Sequence, residues 1–158
     1  MFMPDKIIEP WNLNTLIRFY AEKHGLDPAI VSGVVCSEIS GNQFACRFEK
    51  DYQWLEVPGA HKPKTCSTET ETMLQKTSIG LMQVMGGVYR QYGYKGWLSA
   101  IFSSPENQLD YGCRHLAAKI EKYGLSPGIS AYNAGSPTNA NQAYVDRVLK
   151  YAEEWIPF

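Results

Sequence analysis

Apolar residues recur at helical spacing along most of this chain. The clearest case begins with Ser104 as a helix cap and Pro105 in the first turn, carries Leu109 and Leu116 on one side, and stops at Gly124. Comparable patterns predict helices at 12–25 (capped by Asn12), 28–40, 125–135 and from about 141 onward, and helical character after a turn within 79–93.

Residues 44–78 break this pattern, since they mix aromatic, charged and Ser/Thr residues with two prolines and no helical period. We interpret them as a long loop with one or two short strands around Phe48 to Val57. The sequence therefore predicts a mainly α fold. It is a single compact helical domain over residues 1–158, with a long loop or small β-hairpin insertion at about 44–78.

Length and charge narrow the class of protein. A chain of 158 residues can bury a full core as one domain, and its formal charge of −1 argues against binding nucleic acid. The amino-terminal stretch has neither a secretory signal nor a membrane span, so we expect synthesis in the cytoplasm. No motif for a metal or a nucleotide is present, and no cofactor is predicted.

The four cysteines are scattered without a C-x-x-C pair, which argues against a zinc site. Cys36 and Cys113 fall on predicted buried stripes. Free thiols are the expectation, although Cys46 and Cys66 flank the predicted loop and could pair in an oxidising compartment.

One carboxylate stands out because it continues an apolar stripe. Val31, Val34 and Val35 precede Glu38 by seven, four and three residues, so a continuous helix directs this acid toward the core. Burial raises the pKa of a carboxyl group, and an acid still protonated near neutral pH suits general acid catalysis on a glycosidic oxygen. The alternative is that the helix frays after Cys36 and Glu38 faces water.

Further blocks in this order make the chain resemble the soluble lytic transglycosylase family of the lysozyme-like superfamily. The blocks are Glu38–Asn42, Gly80–Gln83 (G-L-M-Q), Asn107–Leu116, Ala131–Gly135 (A-Y-N-A-G) and the pair at 144–145 (Y-V). The resemblance covers about residues 27–151 and implies an α+β lysozyme-like fold.

The resemblance also implies the reaction. The substrate would be the peptidoglycan glycan strand, cut between N-acetylmuramic acid and N-acetylglucosamine. Glu38 would protonate the bridging oxygen and then take the proton from the muramoyl 6-hydroxyl, giving a 1,6-anhydro product. The implied substrate-binding residues are Ser40, Ser78, Met82, Gln83, Tyr132, Asn133 and Tyr144, with Thr77 as a further candidate.

The chain departs from the family pattern directly after the acid, where Ile39 replaces the family's serine and Ser40 lies about 100° further round a helix. Compact forms of this type resemble phage lysis or tail-associated enzymes. We therefore expect a monomer that reaches the periplasmic cell wall after release by a phage holin, or as part of a virion.

Alternatives from other classes stay open. An acid of the inserted segment could position a water and make the protein a hydrolase similar to goose-type lysozyme, although we expect these acids to be solvated. A non-catalytic wall-binding virion component is a second alternative, and a cysteine peptidase a third. We interpret His115 as a surface residue, and Tyr52 and Trp54 as aromatic rings that could stack on sugars. The acids in question are Glu49, Asp51, Glu56, Glu69 and Glu71, and the cysteine peptidase would pair Cys36, Cys46 or Cys66 with His24, His61 or His115.

Overall fold

The computed structural model describes residues 10–39 and 41–155, and these form a mainly helical domain with a small antiparallel sheet, which confirms the predicted fold class. The helices are α1 (Pro10–Lys23), α2 (Pro28–Ile39), α3 (Pro58–His61), α4 (Thr68–Gln75), α5 (Gly86–Gln91), α6 (Pro105–Tyr123), α7 (Leu125–Ala134) and α8 (Gln142–Glu153), with short 3₁₀ helices at Leu98–Ser103 and Asn139–Asn141. Within the described ranges, no helix is both long and apolar enough to cross a bilayer.

Helix α2 lies in the core and packs most extensively against α8. Its valines Val31, Val34 and Val35 are buried, as their spacing predicts. The two helices approach closely at Gly33, where an added Cβ would lie 2.3 Å from the carbonyl oxygen of Val148. Glycine at this position therefore lets the middle of α2 pack closely against the backbone of α8.

Helix α6 follows its sequence signals closely. The Ser104 side chain caps it by accepting a hydrogen bond from a backbone N–H of the first turn, and Leu109 and Leu116 are fully buried. Helix α7 packs against α6 at Gly128, where a Cβ would clash with the backbone of Ile120. Helix α1 begins at Pro10, two residues before its predicted cap at Asn12.

The segment at 44–78 contains more regular structure than the loop predicted for it. It holds α3 and α4, and its only strand residues are those of β1 (Cys46–Phe48) and the start of β2 (Thr77–Ile79). The sheet order is β1-β2-β3, with β3 at Val84–Met85 and Arg47 paired with Ser78. The strand predicted to continue to Val57 is therefore wrong beyond Phe48. Within 79–93, helix starts only at Gly86.

The hydrophobic pattern of the sequence did not predict helix α4, because the side chains that this helix buries are polar. Glu71 and Arg90 of α5 form an ion pair with side-chain exposures of 1% and 0%, and both guanidinium contacts to the carboxylate are hydrogen bonds, at 2.7 and 3.1 Å. Gln75 also donates to Glu71, and Arg90 donates to the carbonyl of Tyr94. The expectation that Glu71 is a solvated loop charge is therefore wrong, since this acid anchors α4 to α5.

The cysteines are distributed differently from the prediction in one respect. Cys66 and Cys113 are buried, whereas Cys36 is exposed although it was placed on a buried stripe. Cys46 and Cys66 are both free thiols in the structure. Burial raises the pKa of Cys113 to about 12, which makes its thiol unreactive.

Candidate active site

Glu38 lies in the last turn of α2, which continues to Ile39, so the alternative of a helix that frays after Cys36 is wrong. The carboxylate is partly buried, and its Oε1 accepts a hydrogen bond of 2.7 Å from the hydroxyl of Tyr144 in the first turn of α8. The close crossing of α2 and α8 brings these two side chains together. The acid is thus held by one defined partner at the edge of the core.

The surroundings of Glu38 act on its pKa in opposite directions. Burial is the largest effect and raises the pKa above its usual value, while the hydrogen bond from Tyr144 and the positive charges of Arg47 and Arg147 lower it. The net direction is upward. The charged groups that act on Glu38 are both cations, one from β1 and one from α8.

Tyr132 and Met82 connect this acid to the G-L-M-Q turn. The Tyr132 hydroxyl donates a 2.6 Å hydrogen bond to the carbonyl oxygen of Met82. Burial raises the pKa of Tyr132 well above its usual value, and the nearby Tyr144 and Glu38 raise it further. The Met82 side chain is fully buried and fills the space left by Gly112, where a Cβ would lie 2.4 Å from its sulfur. The backbone carbonyl of Met82 therefore holds the Tyr132 hydroxyl in place.

Gln83 and Ser78 bond mainly to the protein itself. Gln83 has a left-handed backbone (φ 48°), and its Nε2 donates to the carbonyls of Ala45 and Gly80 at 3.0 and 2.9 Å. Its Oε1 accepts a hydrogen bond from the Ser78 hydroxyl. These two residues, which the family resemblance implies as substrate contacts, lock the β2–β3 turn against the segment before β1.

Gln108 is a buried residue of this region that sequence reasoning missed. Its Oε1 accepts from the Leu81 backbone N–H, and its Nε2 donates to the carbonyls of Gln43 and Ile101. A Cβ at Gly80 would lie 2.1 Å from Gln108 Oε1. Glycine at position 80 therefore lets the turn approach Gln108 closely.

Asn133 is exposed, and a small network ties it to the start of α8. Its Oδ1 accepts from Asn141 Nδ2 at 3.2 Å, and the same amide group donates to the Ser130 carbonyl at 3.0 Å. The Ser130 hydroxyl lies 2.6 Å from Asn141 Oδ1. Because Asn141 immediately precedes α8, this network fixes the helix that carries Tyr144.

The structure describes no side chain for the two residues that directly follow Glu38. Ser40 lies outside the described residues, and of Ile39 only the backbone at the end of α2 is described. Thr77 lies in β2, where its hydroxyl donates to the Met73 carbonyl, so its side chain is also engaged within the protein.

The histidines that a cysteine peptidase would need have other partners. His115 is largely enclosed between two aromatic rings, contrary to the expectation of a surface residue, and burial lowers its pKa to about 4. The partners of His24, His61 and His115 are Asp110 at 2.6 Å, Glu56 at 3.9 Å and the Tyr92 hydroxyl at 3.2 Å, respectively. None of these partners is a thiol.

Fold and site together define the class of protein as a mainly helical domain with a small antiparallel sheet, in which a tyrosine of the last helix contacts one partly buried glutamate. The family model described as the transglycosylase SLT domain matches residues 15–153. Because the match covers most of the chain, the protein belongs to this family of lytic transglycosylases within the lysozyme-like superfamily, which act on peptidoglycan. No curated protein matches the chain.

Proposed function

We propose that this protein cleaves the bond between N-acetylmuramic acid and N-acetylglucosamine in peptidoglycan and releases a 1,6-anhydromuramoyl product, with Glu38 as the only catalytic carboxyl group. One observation carries this proposal. Glu38 is partly buried, hydrogen-bonded to Tyr144, and subject to the charges of two arginines, while among the residues that the structure describes no second carboxylate acts on its pKa.

The opposing effects on Glu38 suit an acid that works twice. Burial favours the protonated form, which can donate to the bridging oxygen as the bond breaks. The hydrogen bond from the Tyr144 hydroxyl stabilises the carboxylate that results. That carboxylate then takes the proton from the muramoyl 6-hydroxyl, which attacks the anomeric carbon and closes the anhydro ring.

The hydrolase alternative needs a second carboxylate or another group to position a water. Among the acids of the inserted segment, Glu71 is buried in its ion pair with Arg90 and cannot reach a substrate. Glu49 accepts a hydrogen bond from Arg47 Nε and is, among these acids, the one closest along the chain to Glu38. The burial of Glu71 thus removes one of the acids that the hydrolase alternative could use.

Mass spectrometry of purified sacculi digested with the protein tests the reaction. Muramoyl ends that carry a 1,6-anhydro ring support the proposal, whereas reducing ends that incorporate oxygen from labelled water contradict it and favour the hydrolase. Intact sacculi that retain the bound protein would instead favour the wall-binding alternative. Glu49→Gln is the matched control, since it removes the acid of the inserted segment that lies closest along the chain to Glu38.

We also propose a role in phage-mediated lysis, as a monomer that reaches the periplasmic wall after holin release or as part of a virion. This rests on the resemblance to compact phage enzymes. Expression in a Gram-negative host with and without a holin tests it, because lysis only in the presence of the holin supports cytoplasmic storage and release.

A further inference from the structure

Arg147 lies beside the candidate acid in a position that the sequence did not indicate. It follows Tyr144 by three residues in α8, and its guanidinium carbon lies 5.6 Å from the centroid of the Tyr144 ring. The hydroxyl of the same ring donates to Glu38. One tyrosine side chain therefore separates an exposed cation from the carboxyl group.

Within the described part of the chain, Arg147 forms no ion pair with a carboxylate. The adjacent acid, Asp146, accepts a hydrogen bond from Gln142 instead. Arg47, the other cation that acts on Glu38, donates to Glu49. Of these two arginines, Arg147 is thus the one whose donors are available to an anion from outside the protein.

A free cation at this place works against the acid step, because its charge stabilises ionised Glu38. An anionic group of the substrate bound to the guanidinium would remove this opposition when the site is occupied. Guanidinium groups bind carboxylates through two parallel hydrogen bonds, so a carboxylate is the anion that fits best among those a cell-wall glycan carries.

We propose that Arg147 binds a carboxylate on the lactyl substituent of the muramic acid residue at the cleaved bond. This inference rests on the proposed function, since it takes the muramoyl sugar as substrate. The lactyl group is attached to the third carbon of that sugar, close to the anomeric carbon on which Glu38 acts. The carboxylate belongs either to the peptide stem or, where the stem has been removed, to the lactyl group itself.

Binding to soluble glycan strands tests this in a Glu38→Gln background, in which the strands are not cut. Three preparations are compared: strands with intact stems, strands whose stems have been removed to free the lactyl carboxylate, and strands whose carboxylates have all been amidated. We expect Arg147→Gln to weaken binding of carboxylate-bearing strands about ten- to hundredfold, as loss of one charge-assisted contact predicts, and to leave amidated strands unaffected. Arg147→Lys should retain most of the preference.

Lys150→Gln is the matched control, because it removes an exposed cation from the same helix. Dependence on Arg147 that is present with intact stems and disappears when they are removed identifies a stem carboxylate, whereas dependence that appears only after the stems are removed identifies the lactyl carboxylate. Equal weakening with amidated strands, an equal effect of Lys150→Gln, or no effect at all would overturn the inference. Thermal melts of each variant establish that it is folded.

The outcomes also separate this inference from the proposed function. If the wild-type protein leaves sacculi uncut but binding still depends on Arg147 and on carboxylates, the proposed reaction fails and the anion site stands. If the wild type produces anhydro ends but Arg147→Gln binds all three preparations normally, only the anion site fails.

Discussion

The close crossing of α2 and α8 makes Gly33→Ala a sharp test of how the fold positions the acid. The added Cβ would lie 2.3 Å from the Val148 carbonyl oxygen, a separation that carbon and oxygen atoms do not sustain. To restore an ordinary contact, the helices must move apart by about 1 Å. Overpacking of this kind costs about 1–3 kcal/mol, which lowers Tm by about 2–12 °C in a domain of this size.

The same displacement should affect activity more than stability. Tyr144 lies on α8, and a movement of about 1 Å would stretch its 2.7 Å hydrogen bond to Glu38 beyond hydrogen-bonding distance. Misplacement of a catalytic group by about 1 Å can cost about a hundredfold in rate. We therefore expect kcat on purified glycan strands to fall by about that factor, measured well below the melting temperature of the variant.

Gly59→Ala provides the matched control, because a Cβ at this exposed position in α3 meets no atom within 4 Å. It should leave kcat unchanged and keep Tm within a few degrees of the wild type. The reasoning is refuted if Gly33→Ala retains wild-type kcat, or if its loss of activity matches only the fraction of unfolded protein.

Three further variants test separate parts of the site and the inserted segment. Tyr144→Phe removes the donor that stabilises ionised Glu38, so the pKa of Glu38 should rise further. The alkaline limb of the pH–rate profile should then move to higher pH while kcat falls about tenfold, which corresponds to ~1.4 kcal/mol; an unchanged profile would contradict this role. Glu71→Gln leaves Arg90 buried without its counter-charge and should destabilise the protein by about 3–5 kcal/mol in denaturant titrations, whereas a loss below 1 kcal/mol would show that the pair is dispensable. Trp54→Ala removes a ring that is 68% exposed, so it should leave Tm unchanged but reduce turnover of long strands, and normal turnover would remove the support for sugar stacking at this ring.

The sequence predicted the helices whose apolar faces and caps are local signals. Ser104 and Gly124 bound α6 as expected, and the valine stripe of α2 is buried. Helix α4 was not predicted because its inward residues are Glu71 and Gln75, which give no hydrophobic period. What holds this helix in place is the contact of Glu71 with Arg90, 19 residues later in the chain, and a local sequence pattern does not show such a contact.

The candidate site likewise contains residues that the sequence predicted and residues that it did not. The motif blocks singled out Glu38 and Tyr144, which the structure brings into contact across 106 residues. They did not reveal that Gln83 turns its amide back onto the backbone, because this depends on a left-handed conformation that no local pattern required. Gln108 and Arg147 were missed because their roles depend on contacts between distant elements.

Substitution of Glu38 by Gln tests the central claim most directly, because the amide preserves the shape of the side chain and removes its proton. Since burial raises the pKa of Glu38, ionisation of this group costs stability as the pH rises through the folded-state value. The variant should therefore match the wild type in Tm at acid pH and equal or exceed it at higher pH. The measurement is the yield of 1,6-anhydromuramoyl ends from sacculi. We predict that the folded Glu38→Gln variant forms none above background while Glu49→Gln forms them at the wild-type rate, and anhydro ends formed by Glu38→Gln at an undiminished rate would contradict the account.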